Sequence, residues 1–397
     1  MSWQRLVAAS SVALFLAIPL GCSPQPRERP VELDDYSGEL PKRDAAPPTE
    51  AGSYEPPPSL EIEDIEITGC GLLEAERAEV YGRHRMTALH RLQRAGDGWM
   101  AEAIWESGFV VFDDAGANAS PGLVTTGTLD RAFASGSSIW TATVDSQGVQ
   151  ARQYDFAGDP MGPLVHLSSD LADEVAIGAS GEIALAVWST ARSIAARGIT
   201  ESTLGAPYEL QEGVLSDGSR IVMADAGNGE LAIAWSNRRV ADSHHRVFFV
   251  RASPSGVLGP PHTLIDALEP HEVVALEKGD DGYALLLQRG GKPLLMLLNS
   301  WGDPVGVTVR YLGMGRAHDV ALGTDGEMAL AASLEDGRDA LLRLDSNGRV
   351  VGDVLCLEPM RSYGEHAVSV AATERGFAVL YRSADDEELL TWLPAID

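Results

Sequence analysis

Three histidines open short apolar runs in a recurring context: His271 in PHEVVAL, His318 in AHDVAL and His366 in EHAVSV. Imidazoles close to carboxylates such as Glu272 and Asp319 are a donor set that suits a divalent cation. No HxxxH or CxxC spacing accompanies them, so no metal is assigned. The plainer reading is a consensus residue that hydrogen-bonds between repeats. A second constellation is the stretch SNRRVADSHHR at 236–246, which carries Arg238, Arg239, His245 and Arg246, with Arg192 and Arg197 in the preceding repeat. Arginine clusters recognise carboxylate or phosphate bidentately, so an anionic glycan or an acidic protein segment fits them. The competing reading is a solvated loop whose charges offset neighbouring acids.

Other chemistry is harder to place. The chain has no P-loop, GxSxG or HExxH motif and no cysteine with a plausible base. Its Asp-Gly and Asn-Gly pairs lack the succession of oxygen ligands that calcium needs and read as turns. Carboxylates are too numerous for a glycosidase pair to be picked by spacing. Trp105, Trp188 and Trp235 end equivalent segments, where they are expected to cap the core. Catalytic residues are therefore unassigned, and no cofactor is implied.

These residues sit in a repeated unit, cleanest over residues 317–357 (AHDVALGTDGEMALAASLEDGRDALLRLDSNGRVVGDVLCL). Four short apolar runs are broken by turn dipeptides, the pattern of consecutive antiparallel hairpins. The glycine of the first turn recurs at Gly98, Gly181, Gly229, Gly282, Gly326 and Gly376, with a worn copy at Gly136. From Gly181 the steps are 48, 53, 44 and 50 residues, the length of a propeller blade. A second signature, apolar run, small or acidic residue, then glycine, follows at Val149, Val247, Leu294 and Leu341.

The segments IALAV (183–187) and MALAA (328–332) are apolar at every position. Such strands must be covered on both faces, which a closed ring of sheets provides. The expected fold is therefore all-β: a β-propeller of about seven four-stranded blades, closed by an N-terminal strand. The last unit lacks its fourth strand, and LEIEDIEI (60–67) is expected to supply it. LLEAERAEVYG (72–82) is the one helix-like stretch. The inner strand of each blade lines the channel, and loops between second and third strands leave from the end where inner strands begin. The arginine patch and the histidines should then share one face.

Residues 1–21 read as a signal peptide: Arg5, an apolar core, then Pro19-Leu20-Gly21-Cys22. Gly-Cys after an apolar core resembles the lipobox of bacterial lipoproteins, which implies acylation of Cys22; Pro19 and Leu20 depart from that motif, and a plain secretory signal is the alternative. Residues 22–58, rich in Pro, Glu and Asp, form a tether, and 59–397 the propeller domain. Export to the outer membrane or cell surface follows, with a periplasmic or secreted location as the alternative. The balance of 30 basic and 58 acidic residues, a formal charge of −28, argues against nucleic acid. Cys70 and Cys356, 286 residues apart and expected on neighbouring blades, are a candidate disulfide in an oxidising compartment, with two buried thiols as the alternative.

The V-A-x-x-x-x-G-x-h-h-h-h-W units, with the later Arg152-Gln-Tyr-Asp155 through Gly158-Asp-Pro-Met-Gly162, resemble the degenerate propeller repeats of predicted exported lipoproteins of myxobacteria and related bacteria. That resemblance implies an architecture and no activity. The leading expectation is an envelope-anchored, non-enzymatic binding or scaffolding propeller that meets the membrane through its lipid and binds a protein or an anionic glycan. The alternative is a hydrolase or lyase acting on polysaccharide at the channel mouth.

Overall fold

The computed structural model describes residues 60–394 apart from 74–76, 82–88, 104–107, 115–123, 126–130, 137, 201–202, 213–219, 239–242, 324, 358–367 and 384–386. Cys22, Trp105, Arg239 and His366 lie outside the described residues, as does the region read as signal and tether.

Strands form seven sheets. The inner strands of blades 1 to 7 are Leu89–Ala95, Arg131–Ser135, Glu174–Ser180, Arg220–Gly227, His271–Lys278, Met314–Leu322 and Val368–Thr373. Each touches the next in that order, and Val368–Thr373 returns to Leu89–Ala95, so the ring closes. Within blade 3, Glu174–Ser180, Ile183–Ser189, Ser193–Ile199 and Tyr208–Glu212 pair antiparallel from the channel outward, as their hairpin turns require.

The all-apolar second strands are explained by this packing. Every residue of Met328–Leu334 is buried, and so is all of Ile183–Ser189 beyond Ile183. Seven hydrophobic clusters fill the seven interfaces between adjacent blades, the last joining Leu380 and Leu390 of blade 7 to Trp99 and Phe112 of blade 1. Each fully buried large side chain contributes about 1.5–3 kcal/mol, so the interfaces are the main source of cohesion.

The turns after the third strands of blades 2, 5 and 6 are built by one local chemistry. Oδ1 of Asp155 accepts the N–H groups of Ala157 and Asp159, and Asn299 and Asp345 do the same two and four residues on. Gly302 and Gly348 adopt φ of +94° and +80° there, a region open to glycine. Both lie against the preceding blade, Gly302 on Phe249 and Gly348 beside Leu295 and Tyr311. The Tyr311 hydroxyl donates to the Gly348 carbonyl at 2.6 Å.

The closing device differs from the sequence expectation. Strand β1 (Ile62–Glu66) does not complete the last blade. It lies parallel to Thr308–Leu312 on the outer edge of blade 5. Strand β2 (Gly71–Leu72) lies parallel to Leu355–Cys356 of blade 6. Strand β3 (Arg77–Tyr81) pairs antiparallel with Glu388–Pro394 and is the missing fourth strand of blade 7. The helix expected at 72–82 is thus overturned. Its Glu, Ala and Arg favour helix by propensity, but an open edge offers a full ladder of backbone partners, and tertiary context wins. Cys70 and Cys356 are bonded, Cα–Cα 5.3 Å, and both belong to blade 6 rather than to neighbouring blades, because β2 is a strand of that sheet.

Candidate functional site

Of the histidines and arginines singled out above, the fold assembles some and spends the others. Arg238 and His245 lie opposite each other where the second strand of blade 4 ends and the third begins. Arg238 is exposed and makes no hydrogen bond or ion pair with any described residue. Burial first, and then the Arg238 guanidinium, lower the pKa of His245. His271 begins the next inner strand, is 4 % exposed, and lies close enough to His245 to feel its charge. Burial lowers its pKa, while the hydrogen bond of Nδ1 with the Glu269 carbonyl, 2.9 Å, opposes this. At the same end Arg220 of blade 4 pairs with Glu272 of blade 5, 2.5 Å.

Other members of the set are committed elsewhere. Arg246 Nε donates to Asp266 Oδ2 at 2.9 Å, and His244 pairs with the same carboxylate. Arg197 donates to the carbonyls of Gly205 and Leu167. His318 is not with His271. Its Nε2 lies 2.8 Å from Ser333 Oγ and 3.2 Å from Asp339 Oδ1, inside its own blade. Irregular pairing between Met314 and Asp319 shifts the phase of that strand and turns the imidazole inward. Trp188 and Trp235 are buried core, and the Trp235 indole donates to Gln211 at 2.7 Å.

The concave feature is the central channel, a cavity of about 300 Å³ walled by the inner strands of all seven blades. Its charged or titratable lining residues are Arg91, Arg94, Asp225, Glu277, Lys278, His318 and Asp319. Glu277 of blade 5 has its pKa pushed up to about 8, by burial first and then by the charge of Asp319, with Arg91 opposing. Asp319 of blade 6 is pushed up to about 6 by burial, against three stabilising donors. These are the Val320 N–H at 2.9 Å, the Val370 N–H at 3.1 Å and the Ser369 hydroxyl. Two of the three come from blade 7, so Asp319 clips adjacent blades. Ser369 Oγ in turn accepts the Leu92 N–H of blade 1, 2.7 Å. Similar clips join blade 1 to 2 through Glu102 and blade 5 to 6 through Gln288.

Arg91 stands on the opposite wall, in blade 1, with φ of 53° at an irregularity between His90 and Gln93. A non-glycine residue in that region is strained and is held there by its surroundings. Its guanidinium lies 3.7 Å from Glu102. Sequence reasoning named neither Glu277 nor Arg91. The available signal was a charge inside an otherwise apolar inner strand, as in VVALEK. Among the described residues no group of three or more His, Cys, Asp or Glu side chains is arranged to hold a metal ion.

No protein-family model matches the chain. No curated protein shows significant sequence similarity to it. Solved structures do match. A prolyl endopeptidase superposes with a TM-score of 0.50 at 14% identity over 77% of this chain and 46% of its own, so the chain spans less than half of that protein. Apo AztD from Citrobacter koseri gives 0.45 at 12% identity, covering 77% and 86%, and the Dos1 propeller 0.48 at 10%, covering 78% and 80%. At such identities the likeness concerns the fold alone: this is a seven-bladed β-propeller.

Proposed function

We propose that this protein is an envelope-anchored, non-enzymatic binding propeller that recognises an anionic glycan or acidic protein segment on the face where inner strands begin. The supporting observation is Arg238, an exposed guanidinium with no partner among the described residues, beside His245 and close to His271. An exposed cation that no described residue neutralises, on a chain with 30 basic and 58 acidic residues, suits recognition of an anion. The Gly-Cys junction at Cys22 and the Pro-rich stretch behind it support lipid anchoring, as in the lipoproteins whose repeats this chain resembles.

A polysaccharide-cleaving reading draws on the raised pKa values of Glu277 and Asp319 in a concave site. Hydrolysis needs two available carboxyls, one as acid and one as base or nucleophile. Asp319 already accepts three hydrogen bonds and Asp225 accepts the Gly227 N–H, so no second uncommitted carboxyl stands beside Glu277. The binding reading is therefore preferred. It is tested by a thermal-shift screen of the chain against acidic and neutral glycans, since a ligand for the folded state raises the melting temperature. An acidic glycan should raise it, and Arg238→Ala should abolish the shift; a shift that survives the substitution, or none at all, would move the site off this face.

A further inference from the structure

Among the described residues, every charged group lining the channel has a polar partner except one. Asp225 of blade 4 accepts the Gly227 N–H at 2.8 Å. On blade 6, His318 is held by Ser333 and Asp339, and Asp319 by its three donors. Across the channel, Arg91 lies against Glu102 and Arg94 pairs with Asp114. Lys278 donates to its neighbour's carbonyl, Gly279 O at 2.5 Å, and lies over the Tyr283 ring. The carboxyl of Glu277 accepts no hydrogen bond and makes no ion pair with any described residue, although it stands inside the cavity. Glu277 is partly buried with its carboxyl open to the channel, where desolvation penalises the charge and a donor carried by a bound molecule can reach it.

The surroundings restrict what that donor is. Asp319 and Asp225 add negative charge to the lining, and the cations that also line it are taken up, Arg91 by Glu102, Arg94 by Asp114 and Lys278 by the Gly279 carbonyl, so the Glu277 carboxylate is the group left to pair with an added cation. A bare metal ion needs several oxygen or nitrogen ligands, and among the described residues no such group exists. A cation that brings its own N–H donors needs a single carboxylate. Phe133, Ile177, Met223 and Leu276 give the rest of the wall apolar surface. A volume of about 300 Å³ is at the small end of ligand pockets.

We propose that the channel binds a small organic ammonium ion with an apolar body, the ammonium donating to Glu277 and the hydrocarbon lying against the apolar wall. The site is separate from the Arg238 face and does not depend on the reading given for it. Because the ammonium pairs with the ionised carboxylate, binding releases the proton that Glu277 holds in the empty channel. Affinity for a fixed cation therefore rises with pH until Glu277 is ionised in the free protein.

Calorimetric titration of the full chain with n-butylammonium chloride, and with butanol and butyrate as size-matched neutral and anionic controls, tests this. Butylammonium should bind and the two controls should not. Glu277→Gln should weaken butylammonium by about tenfold or more, the usual worth of a charge-assisted hydrogen bond, while Arg238→Ala leaves it unchanged. Equal binding of butanol and butylammonium, full affinity in Glu277→Gln, or binding by none of the three would overturn the proposal. Should Glu277→Gln fail to give a native circular-dichroism spectrum, the wild-type profile decides. Affinity must climb between about pH 6 and pH 9, and a flat profile overturns the assignment equally well.

Discussion

The outer edge of blades 5 to 7 and the inner wall of blades 5 and 6 are held by opposite means. On the outer edge the chain crosses three blades in succession and makes redundant attachments: β1 on blade 5, β2 with a disulfide on blade 6, and β3 on blade 7. Arg310 reinforces the first with two hydrogen bonds of 2.7 Å to Asp64, and the Ile67 N–H donates to Leu312 O just beyond it. On the inner wall, Asp319 and Glu277 are polar groups placed where burial penalises their charge. The edge is built for cohesion, where each bond adds to the same result. The wall gives up stability to keep a charge in reach of the cavity, as functional sites commonly do.

The sharpest way to break this contrast is at β3. Deleting residues 1–73 removes β1, β2 and the disulfide but leaves blade 7 four-stranded. Deleting 1–81 also removes β3 and opens the edge of Glu388–Pro394, above the buried Leu389, Leu390 and Leu393. The shorter deletion should keep a cooperative unfolding transition at lower denaturant, and the longer one should lose it, because a ring with an unsealed blade exposes a strand edge and the last interface. Identical denaturation curves would show that blade 7 does not need its fourth strand.

Next in size is the disulfide. It closes a loop of 286 residues, for which the loop-entropy model gives up to about 5 kcal/mol, with 2–4 kcal/mol typical of measured bridges. Cys70→Ala with Cys356→Ala should lower stability by about that range, and reductant should do the same to the wild-type chain while leaving the double variant unmoved. Since β1 and β3 flank the bridge and hold the same segment, a loss well below 2 kcal/mol would mean that backbone pairing alone fixes the edge.

What was legible in the sequence follows the same division between local and distant causes. The turns after the third strands were readable because their geometry is set within five residues: Asp345 caps the N–H groups of Asn347 and Arg349, and Gly348 takes the positive φ. The blade count was readable because the glycine between the first and second strands recurs at Gly98, Gly181, Gly229, Gly282, Gly326 and Gly376, with a worn copy at Gly136. The closing strand was not. LEIEDIEI announces an outer strand, but any blade edge accepts such a strand, and the partners it meets, Arg310 of blade 5 for Asp64 and Arg349 of blade 6 for Glu63, lie some 250 residues and more along the chain. His318 was misplaced because a strand irregularity changes which face a side chain takes, and no residue type announces that one. Glu277 and Asp319 were visible as charges, yet only ring geometry sets them across from Arg91.

The smallest effect expected is also the one that isolates the inner wall. Glu277 titrates near 8 in the folded chain and Asp319 near 6, against ordinary values of 4.5 and 3.8. Above the ordinary values the unfolded chain has lost protons that the folded chain still holds. Stability is therefore greatest at acid pH and declines as pH rises toward the folded-state values, the reverse of the usual salt-bridged carboxylate. Glu277→Gln keeps the shape and removes the titration. It should be more stable than wild type at pH 8 by on the order of 1–3 kcal/mol, with the difference vanishing below about pH 4.5. Asp319→Asn should behave differently, since an amide offers one acceptor where two oxygens now receive three donors; it should be destabilised by about 1–3 kcal/mol even at acid pH. Chemical denaturation of the three chains at pH 5 and pH 8 separates the cases. If the Glu277→Gln difference does not grow with pH, Glu277 is already ionised in the folded chain, and the wall carries no stored charge penalty.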